Sequence, residues 1–128
     1  MLEINVGYQP GGTLARDLLD FSRQLDYWSL LGVPLFLLIC APSSDHADPL
    51  AHLAERRPPP GSTPRTQQAW AARYLPLLLA KPYVQGILWS QLRDTQPHDY
   101  AHGGLFDLRR HPKPALRTLA SIRQAHLK

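Results

Sequence analysis

Short apolar runs alternate with amphipathic stretches three times along this chain, and no other feature restricts its possible folds as much. Residues 2–8 alternate apolar with small or polar side chains at period two, which predicts a strand ending at Gln9-Pro10-Gly11-Gly12. Thr13 offers an N-cap oxygen, and Leu18, Phe21, Leu25, Trp28 and Leu31 then recur at helical spacing as far as Gly32, a residue suited to a left-handed C-cap. Residues 33–40 are continuously apolar, as in a strand buried on both faces of a helix-covered parallel sheet. Ser62 or Thr63 ahead of Pro64 opens a second helix with Gln67, Trp70, Tyr74 and Leu77 on one side. Pro76 is expected to kink it or mark its last turns. Residues 83–89 predict a third strand, and Lys113-Pro114 opens a last helix on Leu116, Leu119, Ile122 and Leu127.

Alternating β and α elements imply a parallel sheet with right-handed crossovers. Three strands alone leave two open edges, so the expected architecture is α/β, three consecutive βα units that form part of a larger sheet or barrel. Residues 43–66 turn to Ser, Asp, His, Arg and Pro and are expected to form a Pro-rich surface insertion within a single unit spanning 1–128. Asp48-Pro49 can start a short helix there through Arg56 before Pro58-Pro59-Pro60-Gly61 forces an extended loop.

Composition narrows the function classes. The 128 residues include one cysteine, Cys40, which excludes an internal disulfide framework and a cysteine-based zinc site. Cys40 lies in an apolar run, where a small buried hydrophobe is expected rather than a reactive thiolate. No apolar run reaches the ~18 residues of a membrane span, and the start lacks the charged and apolar regions of a secretion signal, so no membrane role is expected. The net charge of +4 is spread over Arg56-Arg57, Arg109-Arg110, Lys113, Arg117, Arg123 and Lys128 instead of one face, and no nucleic-acid partner is expected.

In barrels of this kind chemistry sits on the loops after the strands. The richest such stretch carries Trp89, Gln91, Arg93, Asp94, His98, Asp99, Tyr100 and His102. An aromatic face for C–H groups together with amide and carboxylate groups for hydroxyls is what a sugar site needs, and Trp89, Gln91 and Asp94 supply those types. The alternative is that Trp89 fills the core and Asp94 caps the loop. His98 and His102 have the i, i+4 spacing of paired metal ligands, but Pro97 and Gly103-Gly104 oppose a helix there. No metal or other cofactor is therefore expected. Ser43, Asp45 and His46 hold the residue types of a hydrolase triad without a nucleophile elbow, and no phosphate-binding glycine loop is present.

Trp89 with Asp94 close behind, then Gly104-Leu105-Phe106-Asp107 and Pro112-Lys113-Pro114-Ala115, resembles the last strand, loop and helix of glycoside hydrolase family 10, the endo-β-1,4-xylanases and their relatives. Gly32-Val33-Pro34-Leu35-Phe36-Leu37 is similar to the lead into that family's seventh strand, and residues 2–9 to its sixth. The resemblance implies a partial (β/α)8 TIM barrel, of which this chain is the last three units, and a retaining mechanism with two carboxylates about 5 Å apart. It also implies that the acid/base lies on an earlier strand, absent from this chain. The nucleophile, a Glu within a Thr-Glu pair, would fall at Leu38-Ile39. Ile39 cannot attack an anomeric carbon, so no catalytic residue is assigned. Glu3 lies near the opposite end of its strand, while Asp94 and Asp99 are at the correct end.

The expected function is a glycoside-hydrolase-related segment that hydrolyses or binds β-1,4-linked polysaccharide such as xylan, inactive alone, with Trp89, Gln91, Asp94 and His98 lining the sugar cleft. The alternative is a non-catalytic carbohydrate-binding pseudoenzyme or a protein-interaction module. The expected partners are an oligosaccharide or polysaccharide, with the remainder of a barrel or a second copy covering the open sheet.

Overall fold

The computed structural model describes residues 2–5, 18–52 and 57–126. Strand β1 (Leu2–Asn5), helix α1 (Leu18–Ser29), β2 (Leu35–Cys40), α2 (Pro64–Ala80), β3 (Val84–Trp89) and α3 (Pro114–His126) follow one another in the predicted order. The strands form a parallel sheet in the order β1-β2-β3. Leu2 pairs with Leu37 and Ile4 with Ile39, while Leu37 pairs with Ile87 and Ile39 with Trp89. A register shift at Leu35/Phe36 passes over Gln85.

All three helices cover one face of the sheet: α1 and α2 as same-handed crossovers between successive parallel strands require, and α3 by packing beside α2. Phe21 and Leu25 of α1, Leu35, Leu37 and Ile39 of β2, and Ala71, Tyr74, Leu75 and Leu78 of α2 make the core, with Leu119 and Ile122 of α3 against it. The other face is open. Phe36 is 47% exposed and its neighbour two strand positions on, Leu38, is only half-buried, while Leu88, the register partner of Leu38, is 49% exposed. The expectation that β2 is buried on both faces is therefore corrected: one face is covered by helices, and the second has no layer over it within the described residues. Burial on both faces needs that second layer.

The helix ends follow local chemistry. Thr66 N–H donates to Thr63 Oγ1 at 3.2 Å and Thr63 N–H to Thr66 Oγ1 at 2.8 Å, a reciprocal cap ahead of Pro64 at the first helical position. Pro76 lies inside α2, which continues to Ala80. Helix α1 unwinds through Leu30 and Leu31 to Gly32, whose φ of +71° is open to glycine without steric penalty. Trp28 and Leu31, expected on the buried stripe of α1, are exposed; the helix ends at Ser29, so helical spacing no longer governs Leu31. Below them Lys81 Nζ reaches Asp26 Oδ1 at 2.9 Å and Ser22 Oγ at 2.7 Å, and Tyr83 OH donates to the same carboxylate, tying α1 to the turn before β3. Thr13 and Leu127, and the second half of the first predicted strand, lie outside the described residues. Within those residues no helix is long and apolar enough to cross a membrane.

Candidate functional site

The loops after β2 and β3 meet at the carboxyl ends of the strands and hold each other through buried polar groups. The first tie is Asp48. Its side chain is 5% exposed, and its Oδ2 lies 2.6 Å from His98 Nε2 and accepts the His102 N–H at 2.9 Å. Its Oδ1 accepts the Leu50 N–H at 3.0 Å, an Asx turn, where a short helix from Asp48-Pro49 was expected. The turn wins because the Asp48 side chain satisfies its own backbone while reaching across to the other loop; residues 53–56 lie outside the description. Burial pushes the Asp48 carboxyl up, but the His102 N–H, His98 and the Leu50 N–H outweigh it and hold it below the usual carboxylate value. The backbone joins in. His52 N–H donates to the His98 carbonyl at 2.7 Å, His98 N–H to Leu50 at 3.1 Å, and both the N–H and the hydroxyl of Ser43 donate to the His102 carbonyl at 3.0 Å. Within the described part of 43–63 no residue belongs to one of the named strands or helices, and Ser43 and Ala51 are buried against the second loop.

The second tie closes the base of the β3–α3 loop. Lys113 Nζ sits 2.5 Å from Asp94 Oδ2 and donates to the Gly104 carbonyl at 2.7 Å, while Asp94 Oδ1 accepts the Gly104 N–H at 2.9 Å. Burial draws the Lys113 ammonium below the ordinary lysine value, and Asp94 opposes that pull. Gln67 of α2 completes the floor by donating to the Ala41 and Gly104 carbonyls at 2.8 and 3.2 Å.

The residues expected to line a sugar cleft fall in different surroundings. Trp89 packs on the helix side of the sheet, edge to face with Trp70 at 6.5 Å, and its indole N–H donates to the Gly103 carbonyl at 2.7 Å. Asp94 is engaged with Lys113 and borders a hollow of about 530 Å³ together with His102, Arg109 and Thr63. Gln91 and His98 are brought together on the wall of another hollow, about 420 Å³, along with Leu38, Ser90, Arg93 and Asp99. The Gln91 amide is itself held by Tyr100, donating to its carbonyl at 2.8 Å, and His98 also touches the Gln96 carbonyl at 2.6 Å through Nδ1. Of the residues lining this hollow Arg93 is exposed, whereas the Ser90 hydroxyl is closed off from solvent and has no hydrogen-bond partner among the described residues. At its rim His52 Nδ1 lies 3.5 Å from Asp99 Oδ1.

Ile39 is fully buried in the helix-side core with Leu37 and Leu35. Ser43, Asp45 and His46 do not converge: the Ser43 hydroxyl donates to the His102 carbonyl and Asp45 accepts the Gly61 N–H at 2.7 Å. Among the described residues, no three His, Cys, Asp or Glu side chains are placed to hold a metal ion. Asp48, Ser90 and His52 were not singled out as site residues by sequence, where Asp48 figured only as a helix start. Asp48 lies fifty positions from His98, and no local spacing connects them.

No protein-family model and no curated protein matches the sequence. The fold, however, is similar to segments of solved glycoside hydrolases. Against the β-glucuronidase of Bifidobacterium dentium in complex with coumarin-3-O-glucuronide, the TM-score is 0.65 at 18% identity over 98% of this chain and 20% of the other. Against that of Faecalibacterium prausnitzii the TM-score is 0.64 at 18% identity, covering 98% of this chain and 22% of the other. Against xylanase 10B of Thermotoga petrophila in complex with xylobiose it is 0.60 at 18% identity, over 99% of this chain and 36% of the other. The chain thus spans about a fifth to a third of the length of these structures, and its three βα units have the fold of part of a TIM-barrel glycosidase.

Proposed function

We propose that this chain is a glycoside-hydrolase-related segment that supplies the last three βα units of a barrel and binds a β-1,4-linked oligosaccharide of the xylan type at its strand ends. The observation that carries the reading is the pairing of glycosidase-like fold over nearly the whole chain with a polar hollow at the carboxyl ends of β2 and β3, the end where such barrels place their ligands. Gln91 and His98 stand in the wall of that hollow, while Trp89 and Asp94 fix the loop that shapes it. Exposed Phe36 and Leu88 fit a sheet whose open face is covered by further βα units or by a second copy.

Ile39 favours a second reading, a non-catalytic carbohydrate-binding role, since the position that the family resemblance gives to the nucleophile holds a fully buried aliphatic side chain. Both readings share binding and differ in hydrolysis.

Titration calorimetry of the full chain with xylohexaose and cellohexaose tests the shared part. Saturable heat with one of them is expected. Absence of heat with every β-linked oligosaccharide defeats the carbohydrate reading. Reducing-sugar release by the wild-type chain alone defeats the non-catalytic one.

A further inference from the structure

We propose that a proton latches the two strand-end loops together. His98 is held as the doubly protonated imidazolium between the Asp48 carboxylate and the Gln96 carbonyl, and the latch weakens as the pH rises past neutral.

Both atoms that the ring meets are acceptors. His98 Nε2 lies 2.6 Å from Asp48 Oδ2, and Nδ1 lies 2.6 Å from the Gln96 carbonyl oxygen. A neutral imidazole carries one N–H, so it donates to one of these oxygens and turns a lone pair on the other. Only 3% of the His98 side chain is exposed, so solvent has little access to mend that mismatch. Asp48 cannot lend the missing proton. Its two oxygens already accept the His102 and Leu50 N–H groups at 2.9 and 3.0 Å, and these hold it ionised. A second proton on the ring satisfies both neighbours at once.

The other titratable groups around the ring leave this role to Asp48. From the loop after β2 comes His52, and from the ring's own loop come Arg93, Asp99, Tyr100 and His102. His52 and Asp99 lie against each other at 3.5 Å, and Arg93 is exposed. His102 differs from His98: its Nε2 meets the His46 carbonyl at 2.9 Å, while its Nδ1 is 3.9 Å from Asp48, beyond hydrogen-bond reach. One proton satisfies it.

An unfolded histidine releases its second proton near about pH 6.5. Above that value the folded chain binds more protons than the unfolded one, so stability falls as the pH rises. The loss falls where the loops meet, since Asp48 belongs to one and His98 and Gln96 to the other. His98 and Gln96 also stand in the wall of the 420 Å³ hollow, so the same proton fixes the shape of that wall.

Nitrogen-15 NMR of the histidine rings in the full chain reads the proton directly. At about pH 7.5, above the ordinary histidine value, both ring nitrogens of His98 are expected to be protonated. A single protonated nitrogen overturns the proposal. Urea midpoints supply the second arm: that of the wild type is expected to fall between about pH 6 and pH 9. Asp48→Asn should lose most of that fall, because an Asn amide donates to Nε2 and lets the neutral ring give its one N–H to Gln96. His102→Gln should keep it. Parallel curves for wild type and Asp48→Asn, or loss of the fall in His102→Gln, overturn the latch as well.

Discussion

Lys113 Nζ and Asp94 Oδ2 meet at 2.5 Å beneath the β3–α3 loop, with only 4% of each side chain exposed. Two charges brought so far out of water cost several kcal/mol each in desolvation, and their attraction offsets this only because the Gly104 carbonyl and N–H complete the geometry. Lys113→Met leaves an unpaired buried carboxylate and is expected to cost about 3–5 kcal/mol of stability. Lys113→Met with Asp94→Asn should recover a large part of that loss. Urea denaturation midpoints of the single and double variants measure it; equal losses in both would mean that the pair is not the origin.

Gly104 is squeezed between the same pair and the chain. A Cβ there would lie 2.6 Å from Asp94 Oδ1 and 2.9 Å from the backbone of Arg93 and Asp94. Backbone cannot swing aside as a flexible side chain can, so Gly104→Ala is expected to destabilise by about 1–3 kcal/mol. Thermal melting of this variant against wild type checks the value, and an unchanged Tm would show that the loop has room to shift.

Ile39 occupies the position that a nucleophilic Glu would take by family resemblance, so Ile39→Glu is the obvious attempt to restore hydrolysis. The side chain is fully buried among Leu37, Leu75 and other apolar groups on the helix side of the sheet. A carboxylate there has no water to solvate it, and the substitution is expected to cost more than about 3 kcal/mol and to yield no activity. Circular dichroism melting with a reducing-sugar assay checks both halves. A stable variant that releases sugar would place Ile39 at an open cleft instead.

Acid should loosen the tie between the two loops. The folded Asp48 carboxyl titrates below its unfolded value of about 3.9, so its contribution is present in full above about pH 4 and is lost as pH falls through the folded value. Asp107, held low by the N–H groups of His111 and Arg109, acts in the same direction. Denaturation midpoints measured from neutral pH down to about pH 2 should fall steeply below about pH 4. Asp48→Asn should be less stable at neutral pH and lose less on acidification; parallel curves for the two proteins would exclude Asp48 as a source of the acid loss.

Local chemistry made much of this fold legible. The helical stripe through Phe21 and Leu25, the Thr63-Pro64 start of α2, the positive φ at Gly32 and the apolar run before Cys40 each obey rules that act within a few residues. The site was less legible. Trp89 and Gln91 were named from residue type, yet type does not say which side of a strand end a group takes, and Trp89 went to the helix side against Trp70. Lys113 announced a helix start by preceding Pro114, but its burial against Asp94 depends on how the intervening loop closes.

The sequence by itself determined the alternation of strands and helices, hence a parallel sheet with its loops gathered at one end, because hydrophobic period and capping are properties of neighbouring residues. Only the tertiary structure decided that Asp48 would reach His98 across fifty positions and that Asp94 would pair with Lys113. Those outcomes turn on desolvation and on donor-to-acceptor distances of about 3 Å between segments remote in the chain, quantities that no local pattern encodes.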